Sequence, residues 1–538
     1  MRAAFCTVAF LALACLLARA ARVGIAGDYI DPIGRITAQD EALYTHSVIH
    51  MAHGDWLTPR FMGRLALYKP PLQLWMSAIS TRIGGVSRLA LRFPVALLCA
   101  IAVGLVFLWA AELQSWQAGV CAALLVISNH LWHVLGAMNL TDGLLAAFYT
   151  IALYCIFSDP WLESPAALAG FSVSAAAAIL TKGLAGILPL AILAIYCLAA
   201  PPKRRPALRR AALAGGLALV IAAPWFLYQW AVHPRWFWAE HIAIEILGFG
   251  AGAPPQTTQE TRMAFYLLRA AAMDPVLLAL TALALPGFVA ALYHRSADAI
   301  LLGCWIAVPL AAVLVWNYRN IAYFLPMIPA AAILTAAYNP LAEWRRGWPL
   351  AALLLAVFLG KAAIPSAPFG LSFARGTIQP QAAALSTYCE QARGHELIVA
   401  GVDDDLYAAV LPLPKLRYIL PGVSTLSTGP YAMPFAEMGI ALTAGEFNDL
   451  PRLEPVFRDR LRAWGLDTSE PIGSLILAPT AADLAAVIRA HPASDFFLPQ
   501  RLRSTAPDTH TLANVGDHFF LLSRQSKAPQ PIRWPCSL

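Results

Sequence analysis

The ionisable residues with the clearest chemical potential lie in a polar stretch near the amino terminus, residues 21–92. This stretch contains the adjacent acids Asp40 and Glu41, the base Arg64, and Lys69 directly before two prolines. A carboxylate beside a surface of low dielectric can act as a general base, and Lys or Arg can neutralise a phosphate leaving group. The stretch therefore carries the residue types needed to transfer a group away from a phosphate.

A purely structural interpretation of the two acids is also open. Thr37 is placed to cap a helix whose first turn contains Asp40 and Glu41, and acids are favoured in that turn by the helix dipole. Adjacent residues on a helix point roughly 100° apart, so at most one of the pair can face a site. We expect the other acid to support it.

Other ionisable candidates lie far away in the sequence. Asp142, in Asn139-Leu140-Thr141-Asp142-Gly143, is either a helix cap or a site acid. Lys182 and Arg319, like Lys69, are either site bases or side chains that extend to the membrane surface. Their interpretation depends on whether the elements that carry them meet on one side of the membrane.

The composition indicates which elements those are. Hydrophobic residues make up 59% of the 538 residues, only 13% are charged, and the mean hydropathy is +0.61, which excludes an ordinary water-soluble protein. Apolar stretches of roughly 17–25 residues predict about eleven transmembrane helices. They lie at 3–20, 93–111, 118–137, 143–157, 165–181, 184–200, 211–230, 275–293, 299–316, 321–338 and 348–364.

Basic loops predict the orientation of these helices. The loop 201–210, PPKRRPALRR, is the strongest cytoplasmic signal, and strict alternation places Arg295 and the pair Arg345 and Arg346 on the same side. The first span could instead be a cleaved signal peptide, and the parity counted from 201–210 is the same either way. Every polar cluster named above then falls on the outer face.

Two further segments complete the predicted architecture. Residues 70–84 have apolar residues at helical spacing, which predicts an amphipathic helix lying on the membrane. After 365 the acids, Gly and Pro increase and short strand-like runs appear, so we predict a transmembrane domain, 1–364, and an exported mixed α/β domain, 365–538. Cys389 and Cys536 either pair there or remain free thiols.

Several other functions are disfavoured. The net charge of +7 is spread over loops between apolar runs and indicates topology, so no nucleic-acid partner is predicted. The nine cysteines include no C-x-x-C pair, and the sequence has no P-loop, dinucleotide fingerprint or zinc signature. A transporter or lipid flippase is the main alternative, and it would need ionisable groups near the bilayer midplane.

Seven short motifs, in order, make the chain resemble the polytopic glycosyltransferases of the GT-C fold, in particular the protein O-mannosyltransferases and the lipid A aminoarabinose transferases. The resemblance covers roughly residues 1–340. The motifs are Gln39-Asp40-Glu41-Ala42-x-Tyr44, Gly54-Asp55-Trp56-x-x-Pro59, Tyr68-Lys69-Pro70-Pro71, Leu140-Thr141-Asp142, Leu180-Thr181-Lys182-Gly183, Ala223-Pro224-Trp225 and Arg319-x-x-x-Tyr323-x-Leu325-Pro326.

The resemblance implies transfer of a sugar, a hexose or an aminopentose, from a polyprenyl-phosphate donor to an envelope lipid, glycan or protein on the outer face of the inner membrane, with inversion. It makes Asp40 the general base and gives Glu41 and Asp142 the task of orienting the acceptor or a bound divalent cation; no other cofactor is implied. The predicted phosphate-binding residues are Lys69, Arg64, Lys182, Arg319 and Tyr323.

The chain departs from the family pattern at two places. Many aminoarabinose transferases have an acid before the Lys-Pro pair, where this chain has Tyr68, and an arginine late in the large outer loop, where it has Ile246-Leu247-Gly248-Phe249. The resemblance therefore leaves the sugar and the acceptor open.

Overall fold

The computed structural model describes most of the chain in a helical part and a smaller sheet-containing part. The described residues are 1–22, 39–61, 64–204, 206–252, 261–343, 347–363, 388, 395–400, 416–422, 475–507 and 509–524. Thr37, Cys389 and Cys536 lie outside them.

Within these ranges, the amino-terminal half of the helical part begins with a long apolar helix and ends before the cytoplasmic-type loop. Its elements are α1 (Arg2–Arg22), α2 (Gln39–His53), β1 (Arg60–Phe61), β2 (Arg64–Leu65), α3 (Leu72–Gly84), α4 (Arg88–Leu113), α5 (Trp116–Ile127), α6 (His130–Leu135), α7 (Thr141–Ser158), α8 (Pro165–Lys182) and α9 (Leu188–Ala199).

The second half of the helical part contains a π-helix and a 3₁₀ helix among α-helices. Its elements are α10 (Leu208–Val232), α11 (Pro234–Phe237), the π-helix (Trp238–Gly252), α12 (Arg262–Met273), α13 (Pro275–Tyr293), α14 (Ala297–Val315), a 3₁₀ helix (Ile321–Met327), α15 (Ile328–Tyr338), α16 (Pro340–Glu343) and α17 (Trp348–Ala363).

All eleven predicted spans correspond to helices. In the part of the chain that the structure describes, eight helical stretches are long and apolar enough to cross a membrane, and α5 and α17 are shorter apolar helices. One of the eight, Pro165–Ala199, contains two predicted spans. It breaks at Gly183, where φ is +49°, and the turn that follows lies so close to α8 that a Cβ on Gly186 would collide with the backbone of Ala178. The polytopic helical fold predicted from hydropathy is confirmed.

One predicted span is not a continuous helix. The stretch 118–137 separates into α5 and the short α6 because Asn129 caps a new helix, its Oδ1 accepting from the Trp132 amide at 3.1 Å. Asp274 and Lys361, which lie at the ends of two predicted spans, form a buried ion pair at 3.3 Å, and Asn129 also donates to Asp274. The polar residues at this break therefore have partners inside the helical part.

The amphipathic helix predicted at 70–84 is α3, and its buried side is partly polar. Gln73 and Ser77 are buried and both donate to the Asn139 side chain, while Ile79 and Ile83 are exposed. A helix whose polar residues face protein and whose apolar residues face outward suits an apolar surrounding. Its position along the membrane surface stays a prediction.

The predicted carboxyl-terminal α/β structure is confirmed as a six-stranded mixed sheet. Its strand order is β5-β4-β3-β6-β8-β7. The neighbouring strands β5, β4, β3 and β6 run parallel to one another, and β8 is antiparallel to both β6 and β7. A helix, α18, packs its Leu484 and Ile488 into the apolar core of the sheet. The elements are β3 (Leu397–Ala400), β4 (Leu416–Pro421), β5 (Leu475–Ala478), α18 (Ala481–Ala490), β6 (Asp495–Pro499), β7 (Thr511–Val515) and β8 (His518–Leu522).

Candidate active site

The first turn of α2 directs its two acids to different surroundings. Glu41 is fully buried, and its carboxylate forms a two-point ion pair with Arg92 of α4, with both N–O distances at 2.7 Å. The Asn139 amide also donates to Glu41 at 2.7 Å, and Arg92 donates to the Ala20 carbonyl. Glu41 thus ties α2 to α4 and to the turn before α7, whereas the Asp40 side chain stays open to solvent.

Lys69 is held beside the π-helix by its own backbone neighbours. The Leu67 amide donates to the buried carboxylate of Glu240, and the His241 Nδ1 lies 3.2 Å from the carbonyl oxygens of both Leu67 and Tyr68. The Lys69 ammonium itself forms an ion pair with Glu245, one turn further along the π-helix. Both side chains of this pair are 19% exposed, so a ligand can reach them.

Asp142 and Lys182 form the second ion pair of the site, at 2.6 Å. Asp142 lies in the first turn of α7, which is capped by Leu140, so the alternative interpretation of Asp142 as the helix cap is wrong. Lys182 is the last residue of α8, and its ammonium also lies 5.1 Å from the centre of the Tyr323 ring. Three separate elements thereby bring an acid, a base and a phenol together.

These groups share one electrostatic environment around Asp40. Burial is the largest influence and raises the pKa of Asp40; Lys69 and Lys182 lower it, and Glu245 and Asp142 raise it. Many protein atoms lie near the Asp40 carboxyl group, but the side chain remains exposed to solvent. Solvent screening therefore limits how far the pKa is raised. The four charges that act on Asp40 come from four separate stretches of the chain, the first at Lys69 and the last at Glu245.

The pKa of Lys69 is set by two opposing influences. Burial alone would lower it, but the attraction of Glu245, helped by Asp40 and Asp142, raises it above its ordinary value. The ammonium is therefore protonated over the physiological pH range. A protonated amine that is 19% exposed is suited to holding an anionic ligand.

Two tyrosines border the cluster as neutral donors. Burial raises the pKa of Tyr44 well above its usual value, and so do Asp40 and Glu245; its hydroxyl bonds the Thr141 side chain. Burial, Asp40 and Glu245 likewise raise the pKa of Tyr318. Both phenols keep their protons, so they can donate hydrogen bonds to oxygen atoms of a substrate.

The remaining predicted phosphate residues lie at different distances from this cluster. Arg319 follows α14 in the turn before the 3₁₀ helix, and its guanidinium is 5.9 Å from the Phe265 ring. The turn is joined to the π-helix, because the Tyr318 amide donates to the Phe249 carbonyl at 3.0 Å. Arg64 starts β2, and its side chain is outside the described part of the structure.

Glu245 and Arg92 are the site residues that sequence reasoning missed. Arg92 stands at the start of an apolar span, and a charge in such a place predicts a buried partner. Glu245 lies within a long apolar run of the loop 231–274, where it resembles an ordinary loop acid. No spacing in the sequence connects it to Lys69, since the two residues belong to different loops.

The arrangement has the parts needed for group transfer from a phosphate. A solvent-accessible carboxylate whose pKa is raised can remove a proton, and two ammonium groups can stabilise a departing phosphate. Among the described residues, no group of three or more His, Cys, Asp or Glu side chains is arranged to hold a metal ion. The geometry thus offers an acid–base and electrostatic mechanism made from the chain's own residues.

Known proteins resemble this chain in sequence. The family model described as dolichyl-phosphate-mannose-protein mannosyltransferase matches residues 68–228. An undecaprenyl phosphate-α-4-amino-4-deoxy-L-arabinose arabinosyl transferase of Sodalis glossinidius is 28% identical over 318 residues, 55% of this chain and 54% of that protein. An uncharacterised protein of Aquifex aeolicus is 29% identical over 37% of this chain and 40% of its own length. The chain thus spans about half the length of the curated relatives it matches.

The fold is also shared with a solved structure. ArnT from Cupriavidus metallidurans, bound to undecaprenyl phosphate, has a TM-score of 0.67 at 16% identity, with 98% of both chains covered. The same protein in the apo state gives a TM-score of 0.64. The resemblance to GT-C glycosyltransferases stated from seven motifs is confirmed, and so is the predicted fold class.

Proposed function

We propose that this multi-pass membrane protein is a glycosyltransferase that moves a sugar from a polyprenyl-phosphate donor to an acceptor at the outer face of the inner membrane. The observation that carries the proposal is the clustering of Asp40 with Lys69, Glu245, Asp142 and Lys182. The relatives named as undecaprenyl-phosphate aminoarabinose transferases support it, as does the fold shared with a protein crystallised with undecaprenyl phosphate.

In the proposed reaction, Asp40 is the general base. Its carboxylate accepts the proton of an acceptor hydroxyl, and the hydroxyl oxygen forms a bond to the anomeric carbon of the sugar. The bond between that carbon and the phosphate oxygen breaks, and its electron pair stays on the polyprenyl phosphate. Lys69 neutralises the departing phosphate, with help from Arg319 and Tyr323, and attack from the face opposite the phosphate inverts the anomeric centre.

The other predicted residues receive supporting roles. Asp142 and Lys182, paired with each other, border the acceptor side of Asp40, and Lys182 assists the phosphate. Glu41 acts through position only: its ion pair with Arg92 fixes the first turn of α2 and thereby the direction of Asp40. Arg64 remains a proposed phosphate ligand on the strength of the motif order alone.

The substrates are proposed by class. The named relatives favour an aminopentose donor, a hexose is the alternative, and the acceptor is an envelope glycolipid, glycan or protein. We place the catalytic cluster and residues 365–538 on the periplasmic or external side because of the basic loop 201–210. The helix-end positions of Asp142 and Lys182 argue against a transporter, which needs such groups near the midplane.

The test of this proposal removes the negative charge of the Asp40 carboxylate. Asp40→Asn, purified into vesicles that contain a polyprenyl-phosphate sugar and acceptor lipid, should lose transfer by at least about 100-fold because the amide cannot take the proton. Glu163→Gln, an exposed carboxylate beside the loop 201–210, is the matched control and should retain activity. Mass spectrometry of envelope lipids and glycans from cells with and without the gene identifies the sugar. Undiminished turnover by Asp40→Asn would remove the proposed base.

A further inference from the structure

Glu245 is paired with Lys69, the cation to which the proposed function assigns the donor phosphate. Its carboxylate is paired with the Lys69 ammonium, and Lys69 is the charge with the largest effect on Asp40. A phosphate that reacts beside Asp40 meets Lys69 first. The Glu245 carboxylate therefore already takes the position beside the Lys69 ammonium that a phosphate oxygen would take.

The charges closest to Asp40 favour such a competition between phosphate and carboxylate. Asp40, Asp142 and Glu245 supply three negative charges, whereas Lys69 and Lys182 supply two positive ones, each already paired with a carboxylate. An incoming phosphate adds a further negative charge in a partly buried space, where unpaired charges are costly. A phosphate that binds Lys69 or Lys182 directly therefore has to compete with the carboxylate already paired with that ammonium.

The two pairs differ in how firmly their ends are held. Asp142 is in the first turn of the regular helix α7, and Lys182 ends α8 directly before the fixed turn at Gly183. Lys69, in contrast, lies in an irregular segment between β2 and α3. Glu245 lies in a π-helix, a rare backbone geometry that is frequently found at functional sites. The Lys69–Glu245 pair is the one built to open.

We propose that Glu245 is a displaceable counter-ion of Lys69: donor phosphate replaces the Glu245 carboxylate on Lys69, and Glu245 returns to Lys69 when the polyprenyl phosphate leaves. This inference rests on the proposed function and adds a positioning residue to it. Before the donor binds, Glu245 keeps Lys69 beside Asp40. After transfer it competes with the polyprenyl phosphate for Lys69 and so weakens binding of this product.

Binding of undecaprenyl phosphate, the product, tests the inference separately from turnover. The purified full chain in detergent is titrated with undecaprenyl phosphate and binding is measured by calorimetry. Glu245→Gln keeps the size of the side chain but removes its charge. It should tighten binding on the order of tenfold because the phosphate no longer competes with a carboxylate for Lys69. A merely structural residue would weaken binding when substituted. Glu163→Gln, far from the site, should leave the affinity unchanged.

A second substitution isolates the role of Lys69. In a Lys69→Ala background, Glu245→Gln should not tighten binding, since the ammonium for which carboxylate and phosphate compete is absent. If Glu245→Gln does not yield folded protein, Glu245→Asp, which is one methylene shorter and pairs less well, should tighten binding by a smaller factor. Steady-state kinetics should show a lower donor KM for Glu245→Gln without a rise in kcat.

The outcomes separate the two claims. Failure of the unsubstituted protein to bind undecaprenyl phosphate, or unchanged binding in Lys69→Ala, overturns the proposed function and the inference with it. Normal binding that Lys69→Ala weakens, together with unchanged or weaker binding in Glu245→Gln, overturns the counter-ion role alone. Tightening that persists without Lys69 also overturns it.

Discussion

Lys69 and Glu245 are 176 positions apart in the chain, and their side chains form an ion pair beside Asp40. The pair joins the segment before α3 to the π-helix, and two backbone contacts nearby, from Leu67 to Glu240 and from His241 to Leu67, hold the same segments together. The position of Lys69, the proposed phosphate ligand, therefore depends on a large loop that is distant in sequence. Substitutions at the two ends of the pair should affect the reaction differently.

Removal of the Lys69 charge should mainly impair use of the donor. Lys69→Ala leaves the departing phosphate without its nearest cation, and a charge-assisted hydrogen bond of this kind contributes about 1.5–3 kcal/mol. We expect kcat/KM for the donor to fall at least about tenfold, the equivalent of 1.4 kcal/mol, while the acceptor KM changes little. Initial rates measured with donor and acceptor varied independently would check this. A change confined to acceptor affinity would contradict the phosphate role of Lys69.

The pH dependence of transfer should move in opposite directions for the two ends of the pair. Asp40 must be ionised to act as a base, and burial raises its pKa, so activity should fall with decreasing pH at values above those usual for an aspartate. Lys69 lowers this pKa, so Lys69→Gln should shift the acid limb of the residual activity to higher pH. Glu245 raises the pKa, so Glu245→Gln should shift the limb to lower pH. Profiles of kcat/KM against pH would measure both shifts, and shifts of the same sign would exclude Asp40 as the titrating group.

The sequence predicted the helices well because hydropathy reflects the length of apolar chain needed to cross a bilayer. It did not predict that 118–137 breaks at Asn129, since polar residues that are buried between helices look the same in sequence as polar residues at a membrane surface. The same limit applies to Asp274 and Lys361: at the ends of predicted spans they look like charges at the headgroup layer, whereas in the structure they are paired inside the protein.

For the site, the sequence located the acids and bases but not their partners. Asp40 and Lys69 were found from residue type and motif order, and the contact between Lys69 and Glu245 depends on how two loops pack. The division of roles between Asp40 and Glu41 follows from helix geometry, whereas the identity of Arg92 as the partner of Glu41 requires the packing of α2 against α4. Helix geometry predicts the direction in which a side chain points, and tertiary packing determines which residue becomes its partner.

Loss of the buried Arg92 charge should destabilise the protein and disturb Asp40 indirectly. Arg92→Met leaves the Glu41 carboxylate buried without its partner, at a cost of about 3–5 kcal/mol, and also removes the bond to the Ala20 carbonyl. We expect a clearly lower thermal unfolding midpoint in detergent. The exposed Arg209→Met is the matched control and should leave the midpoint unchanged. Glu41→Met combined with Arg92→Met should recover only part of the loss, because the Asn139 amide then lacks its acceptor. An unchanged midpoint for Arg92→Met would show that the pair contributes nothing to the fold.

Gly186, in the short 3₁₀ turn that follows Lys182, offers a test of whether this turn helps to place the Lys182 ammonium beside Asp142. A methyl group on Gly186 would collide with the backbone of Ala178, which cannot move aside as a flexible side chain can, so Gly186→Ala should cost at least about 2 kcal/mol of stability. Gly216→Ala in α10 introduces the same methyl group where no atom lies within 4 Å, and it should be neutral or slightly stabilising, since alanine favours a helix by about 1 kcal/mol over glycine. Because the collision displaces the turn that directly follows Lys182, Gly186→Ala should also reduce transfer activity in the fraction of protein that remains folded, whereas Gly216→Ala should not. Thermal unfolding and vesicle transfer assays on both variants would measure this, and equal behaviour of the two glycine variants would mean that the tight turn plays no part in placing Lys182.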